Sequence, residues 1–405
     1  MRKNPKEAVS QYIWEKLKQA HTDMRQARVA DAMQVYAQVL PKFWEYTTEP
    51  NNRWRRTGVS IDYPSSNWAS AYLREYFYLK QTWFGWRHFT SEFLETNDRS
   101  QIPFLCQSQL ISTLGWASIR KQSLSQVISK QEDFLRDVRW RQDSTESDFL
   151  KSMHFMVLSY AHTLAFHQSK AFDYAYRSIA LLNPKIEPYY AIRAYDLLGT
   201  AFYTFRQYDQ ALDCYTKSAE IVQSIGQSAR PLMQYYGDGW AYIGNRQLDN
   251  ALEAFRRGYH LKAEFSLYYD AARCKYGEGY THFLLGNYDE AVLSLYEALC
   301  VFCDDHFDLN TANDENSMVS PAMTAACSHV LALVYERRGE IREAIRYETQ
   351  AVDWQRTIED PGQLSDMLRR AIKLNRQSKR FSATIRYLMQ FLLLRLRYRV
   401  PMMSF

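Results

Sequence analysis

Glycine and proline are scarce in this chain, at 14 and 11 of 405 residues. Long linkers and low-complexity, Pro/Gly-rich segments are thereby excluded over most of its length. Long hydrophobic runs are missing as well. The most apolar stretch, Leu388 to Leu394, is too short for a membrane span and is followed by Arg395 and Arg397. The opening residues Met1-Arg2-Lys3-Asn4-Pro5-Lys6 lead into an amphipathic segment and contain no apolar signal core. The six cysteines (Cys106, Cys214, Cys274, Cys300, Cys303 and Cys327) are scattered through apolar helical patterns, as reduced thiols would be. The expectation is a cytoplasmic protein with no membrane partner. A strong net charge is also lacking, since the formal value is only +5. Acidic residues are absent from the end of the chain, however. Residues 369 to 405 carry ten Lys/Arg and no Asp or Glu. That end suits an acidic partner, or is a solvated helix face with cations near helix C-termini.

Aromatic residues are plentiful, at 15%, with 30 Tyr and 10 Trp. Many of them fall in a pattern that repeats. Tyr276-Gly277-Glu278-Gly279-Tyr280 is followed by Leu285-Gly286-Asn287-Tyr288-Asp289-Glu290-Ala291-Val292. Forty residues upstream stand Tyr236-Gly237-Asp238-Gly239-Trp240 and Gln247-Leu248-Asp249-Asn250-Ala251-Leu252. Forty further upstream stand Leu197-Leu198-Gly199-Thr200 and Gln207-Tyr208-Asp209-Gln210-Ala211-Leu212. In each copy a Gly precedes an Ala by twelve residues, the spacing at which two small residues let paired helices approach closely. This is the signature of the tetratricopeptide repeat.

In chain order, residues 7 to 46 read as two helices. Tyr12, Ile13, Trp14 and Leu17 give one apolar face, and Val29, Ala32, Met33, Tyr36, Val39 and Leu40 the other. A polar loop from Thr47 precedes a strongly aromatic helix from Trp68 to Leu94. A boundary near residue 97 separates an N-terminal helical bundle (1–97) from a repeat array (98–405). The array opens with a degenerate hairpin around Gly115-Trp116. Clearer copies follow, the first with Phe172-Asp173-Tyr174-Ala175 opening its second helix. The copy at Gly339 comes late, after an acidic insertion from Asp304 to Val319. The last, Arg380 to Ile385, is degraded and reads as a capping repeat. Pro184, Pro188, Pro231, Pro321 and Pro361 fall between hairpins, as expected for helix starts. The expected fold is all-α: a helical bundle followed by a right-handed superhelix of tetratricopeptide repeats.

Enzymatic constellations are sparse. Cys300-x-x-Cys303 with His306 is half a metal site at most, and core packing of both thiols is the stronger reading. His162 and His167 are five apart, off the spacing at which a helix shares a metal. No metal and no cofactor is expected. The array itself offers the better site, because first-helix residues one turn apart line a concave face. Those positions are Arg193, Asp196, Thr200 and Tyr203; Met233, Tyr236 and Trp240; Arg273, Tyr276, Tyr280 and Phe283; and His329. They describe an aromatic groove with a few charges, suited to a peptide. About half of the rings are expected to pack between hairpins instead of meeting a ligand.

Three stretches carry a resemblance to a known family. They are the N-terminal helix pair with Trp14 and Val29-Ala30-Asp31-Ala32; the end of the aromatic helix, Phe84-Gly85-Trp86-Arg87-His88-Phe89; and the run from Ser147-Asp148-Phe149-Leu150 through Phe172 to Ala175 and Gln207 to Leu212. In these the chain resembles the Rap-type response-regulator aspartate phosphatases and related peptide-pheromone receptors of Gram-positive bacteria. The resemblance implies that an N-terminal bundle docks on the receiver domain of a response regulator. It implies that a short signalling peptide binds the concave face, compresses the array and releases the regulator. Two departures stand out. Where phosphatase members carry a glutamine that orients the hydrolytic water, this chain has Glu75, a carboxylate that could act as a base but is repelled by an acyl phosphate. Where members grip the peptide backbone with an asparagine, this chain has Gly237 with Asp238 beside it, and Asp238 joins the expected peptide contacts.

The expected function is therefore a quorum-sensing peptide receptor that binds and inhibits a response regulator by aspartyl-phosphate dephosphorylation, with sequestration by binding alone as the alternative. A DNA-binding regulator would need a compact N-terminal helix-turn-helix, and residues 1 to 60 show two longer helices, which argues against nucleic acid. A generic scaffold for protein assembly is the remaining alternative.

Overall fold

The computed structural model describes residues 5–48, 111–112, 115–116, 119, 124–136, 145–303, 320–357 and 361–398. The aromatic stretch from Trp68 to Leu94 with Glu75, the expected boundary near residue 97, Cys106 and the acidic insertion 304–319 lie outside these. The chain divides into two compact units, Met1–Asn245 and Arg246–Phe405. Among the described residues there are fifteen α-helices, one short 3₁₀ helix and no strand. The all-α hairpin architecture expected from the repeat spacing is what is found.

The first unit opens with α1 (Pro5–Arg25) and α2 (Val29–Thr48). Ile13, Leu17, Ala20 and Met24 recur at helical spacing on α1 and meet Val29, Ala32, Tyr36 and Val39 of α2, all at most 1% exposed. Tyr12 is 37% exposed, so the α1 seam centres on Ile13 and not on Tyr12. Then come α3 (Leu124–Leu135), α4 (Thr145–Leu164), α5 (Gln168–Ala180), α6 (Pro188–Thr204) and α7 (Tyr208–Ile225). A 3₁₀ turn (Gln227–Leu232) leads to α8 (Tyr235–Gly244). Pro188 starts α6, as expected of a proline at the first helical position. Pro231 does not start a helix. It lies inside the 3₁₀ turn, and α8, only 10 residues long, begins beyond it.

The second unit holds α9 (Leu248–Glu264), α10 (Tyr268–Leu285), α11 (Tyr288–Phe302), α12 (Pro321–Arg337), α13 (Ile341–Gln355), α14 (Pro361–Gln377) and α15 (Phe381–Tyr398). From α10 to α14, each packs on the helix before and the helix after it.

One turn recurs throughout. A residue with left-handed backbone ends the helix, and the next N–H donates to a carbonyl five residues back: Arg28 to Asp23, His167 to His162 and Gln207 to Phe202 in the first unit. Asn287 to His282, Glu340 to Tyr335 and Arg380 to Asn375 do the same in the second. This closure satisfies carbonyls at the helix end and folds the chain back within three residues. Glycine holds the left-handed position at Gly286 and Gly339, whereas Phe166, Arg206 and Lys379 occupy it at a steric cost.

The spaced Gly and Ala set the packing. Ala171, Ala211, Ala251, Ala291 and Ala344, near the start of successive second helices, are all at 0% exposure. A Cβ on Gly279 would lie 2.7 Å from Leu295 and 3.2 Å from the Ala291 carbonyl. The ring of Tyr215 on α7 fills the space left by Gly199 of α6 and Gly237 of α8, at 2.5 and 2.6 Å from where their Cβ atoms would stand. Phe255 lies 2.3 Å from where a Cβ of Gly277 would be. Gly199, Gly237 and Gly277 are thus sockets for aromatic rings from the neighbouring second helix.

Candidate functional site

Within the first unit, α6 and α8 bring together Arg193, Asp196, Gln234 and Asp238. Asp196 is 4% exposed, and one of its oxygens accepts hydrogen bonds from Gln234 Nε2 at 2.8 Å and Arg193 Nη1 at 3.4 Å. Asp238 is partly buried on the first turn of α8. Burial, reinforced by the charge of Asp196, pushes its pKa from the ordinary 3.8 to about 7. Asp196 already faces the Arg193 guanidinium, and its charge still opposes ionisation of Asp238, so a further cation is favoured at Asp238. Beside them Tyr236 and Trp240, one turn apart on α8, meet edge to face at 6.1 Å between ring centroids. Tyr203 packs on the α6–α7 core and against Tyr208, so it belongs partly to the scaffold.

In the second unit Arg273, Tyr276 and Tyr280 follow one another along α10. Arg273 pairs with Asp270 at 3.1 Å, and both rings pack against the core formed by α10, α11 and α12. His329 on α12 is 3.1 Å, through Nδ1, from both oxygens of Glu348 on α13. Glu348 is fully buried and also faces Arg370 on α14 at 3.4 Å. Burial raises its pKa, against the opposing pull of His329 and Arg370. His329 is thus tied to the interior of its own hairpin. Glu75 lies outside the described residues.

Other features singled out in the sequence find structural roles. The tight turn after α4 folds His167 back on His162, placing the two Nδ1 atoms 3.1 Å apart. His162 stacks on Tyr174, whose hydroxyl donates to Glu132, and burial lowers its pKa. Among the described residues no group of three His, Cys, Asp or Glu could hold a metal ion. Cys214 and Cys274 are buried, and burial pushes both thiols up to about 12, which makes them inert at neutral pH. Cys300 is exposed, contrary to the core position expected for it, because α11 turns that residue outward while Phe302 points in. No helix of the described residues is long and apolar enough to cross a membrane.

Two groups of residues escaped the sequence reading. Gln234 precedes α8 and orients Asp196; its only sequence signal is its place beside the repeat's first helix. The second group holds the helix pair α1–α2 against the repeats. Glu187, 6% exposed at the start of α6, accepts from Arg25 Nε at 3.0 Å and again from Arg25 Nη2. Gln26 Nε2 donates to the Ile186 carbonyl at 3.0 Å, and Ser228 Oγ donates to Asp31 at 3.0 Å. An open cavity of about 630 Å³ lies at this seam, lined by Gln26, Arg28, Lys185 and the apolar Pro184, Pro188, Ile221 and Ile225. It lies apart from the carboxylate pair and contains no group suited to acid–base chemistry.

Neither a protein-family model nor a curated protein matches the sequence. Solved structures do match in shape. A Rap protein complexed with competence and sporulation factor superimposes with a TM-score of 0.58 at 12% identity, over 97% of this chain and 99% of the other. Aspartyl phosphate phosphatase F from Bacillus subtilis gives 0.51 at 15% identity, over 97% of both chains. The chain has the fold of a Rap protein. That fold is shared more widely, since the APC/C hetero-tetramer Cut9–Hcn1 gives 0.57 at 13% identity over 96% of this chain and 69% of the other. At these identities the likeness concerns the path of the backbone, and side-chain roles rest on the geometry above.

Proposed function

We propose that this protein is a cytoplasmic, peptide-sensing repeat regulator that binds and inhibits the receiver domain of a response regulator and is relieved by a short signalling peptide. The observation that carries this reading is the Asp196–Asp238 pair beside the Tyr236–Trp240 rings, on first helices of consecutive repeats, in a chain of Rap fold. The rings offer flat apolar contact to an extended peptide, and the carboxylates suit a basic side chain or an N-terminal amine. A cation bound there draws Asp238 into its ionised form, so binding of a basic peptide strengthens as pH rises from about 6 to about 8. In the second unit Arg273, Tyr276 and Tyr280 are read as a separate peptide-contacting surface of that unit's own repeats, with His329, held by Glu348, as its support. The helix pair α1–α2, latched by Arg25 to Glu187, belongs to the regulator-docking domain (1–97), which this reading separates from the array (98–405).

Two versions differ in chemistry. Glu75, standing where the resemblance expects glutamine, favours regulation by sequestration over aspartyl-phosphate hydrolysis, because a carboxylate repels the acyl phosphate it would have to approach. Incubation with a phosphorylated receiver domain separates them. Phosphate loss faster than the receiver's own, abolished in Glu75→Ala, supports the phosphatase. A stable complex without faster loss supports sequestration. Absence of both, together with no heat of binding from short basic peptides, overturns the proposal. The DNA-binding alternative finds little support in α1 and α2, which run 21 and 20 residues and form one long antiparallel pair.

A further inference from the structure

Helix α15 is apolar on two sides. Its inner side turns Tyr387 and Phe391, each 2% exposed, onto Ala351, Val352, Leu368 and Ile372. Its outer side presents Phe381, Ile385, Leu388, Met389, Leu392 and Leu393, which are 67, 61, 37, 55, 42 and 61% exposed. The spacing is that of a helix face, an arc of about 140° running about 18 Å along the axis. The apolar surface is on the order of 600 Å², as large as the largest patch on a typical monomer. A helix whose outer side met only water would carry a polar outer face, and this side does not.

The shape of the face points to what covers it. In this unit α12, α13 and α14 are each packed between the helix before and the helix after. The outer side of α15 repeats the same ridge spacing, and what fits such a face is another helix. Charge narrows the choice further. Lys379, Arg380 and Arg386 are exposed around the face and the helix itself holds no Asp or Glu, whereas Arg369, Arg370 and Lys373 of α14 are ion-paired with Asp366, Glu336 and Glu348 and add nothing to it. A second copy in a symmetric pair would set these cations against their own kind, whereas an acidic helix would meet them with opposite charge. We propose that the outer face of α15 is a docking surface for an acidic amphipathic helix of a partner protein, stacked as one further helix on the repeats.

A labelled peptide of about 18 residues, with Leu at helical spacing along one face and mostly Glu elsewhere, and a twin with Lys for Glu, test this against the full chain by fluorescence anisotropy. The expected result is saturable binding of the Glu peptide at least about tenfold tighter than the twin, weakening several-fold between about 50 and 300 mM salt. Ile385→Gln with Leu393→Gln, both on the exposed arc, should lose at least about tenfold with an unchanged circular dichroism spectrum. Arg386→Gln should reduce the preference for the Glu peptide. No saturable binding, equal binding of the twins, or no effect of the outer-face variant overturns the proposal. Two other outcomes also overturn it: self-association abolished by the outer-face variant, which assigns the face to a second copy, and binding to vesicles of about 30% phosphatidylserine in phosphatidylcholine but not to the peptide, which assigns it to a membrane surface.

Discussion

Replacing Asp238 by Asn tests the physics of the carboxylate pair directly. Burial and the charge of Asp196 raise its pKa from 3.8 to about 7, so the folded chain holds this proton more tightly than the unfolded chain does. The associated stability is present in full below about pH 4 and is lost as pH rises to about 7. At roughly 1.4 kcal/mol per pH unit the full difference is at most about 4 kcal/mol. Asp238 is only partly buried, and screening by water cuts this to about 2 kcal/mol. An asparagine in its place would match the shape of the protonated acid and never ionise. Asp238→Asn and the parent chain should therefore melt together at about pH 4, and the variant should melt about 4 to 8 °C higher at about pH 8. The assay is paired thermal denaturation across that range, in which all groups common to both chains cancel. In the Asp196→Asn background the gap at the alkaline end should shrink, because part of the cause has gone. Two melting curves that stay parallel across the range would refute the account of the site.

The remaining predictions concern the scaffold. Glu187→Gln removes the charge that Arg25 clasps at the start of α6 and should cost about 1 to 3 kcal/mol. It should speed amide exchange in α1 and α2 before the repeats respond; uniform exchange across the unit would show that the clasp is not a latch. Gly277→Ala puts a methyl 2.3 Å from the Phe255 ring, which is fully buried and has nowhere to go. It should destabilise by about 1 to 3 kcal/mol, read as a lower urea midpoint, whereas Phe255→Leu in the same chain should recover part of the loss.

The parts of this protein that were legible in its sequence are those governed by short spacings. Gly279 and Ala291 stand twelve apart because one hairpin turn separates two helices that must touch, and both ends of that contact lie in one window of sequence. The seam from Ile13 to Met24 reads from helical periodicity for the same reason. Local backbone choices were harder. A proline between hairpins announces a helix start at Pro188 and Pro321. The same residue at Pro231 sits in a 3₁₀ turn, where Ala229 and Leu232 are buried and the chain is held against both α2 and α7 before α8 can begin.

What stayed hidden depends on which side of a helix meets which neighbour. Asp196 and Asp238 each look like an ordinary solvated charge when read alone. Only the stacking of α6 beside α8 turns them into a pair, and no window shorter than forty residues holds both. Arg25 and Glu187 are further apart still. The last helix shows the limit most plainly. Phe381 to Leu394 is apolar around most of its circumference, and the sequence does not tell which arc the repeats cover. The structure settles that Tyr387 and Phe391 go inward, and so exposes Ile385 and Leu393. The polar pair and the apolar face thus arise from one cause. A stacked array fixes each helix by its neighbours, leaving any function to the surfaces that the stacking brings together or leaves bare.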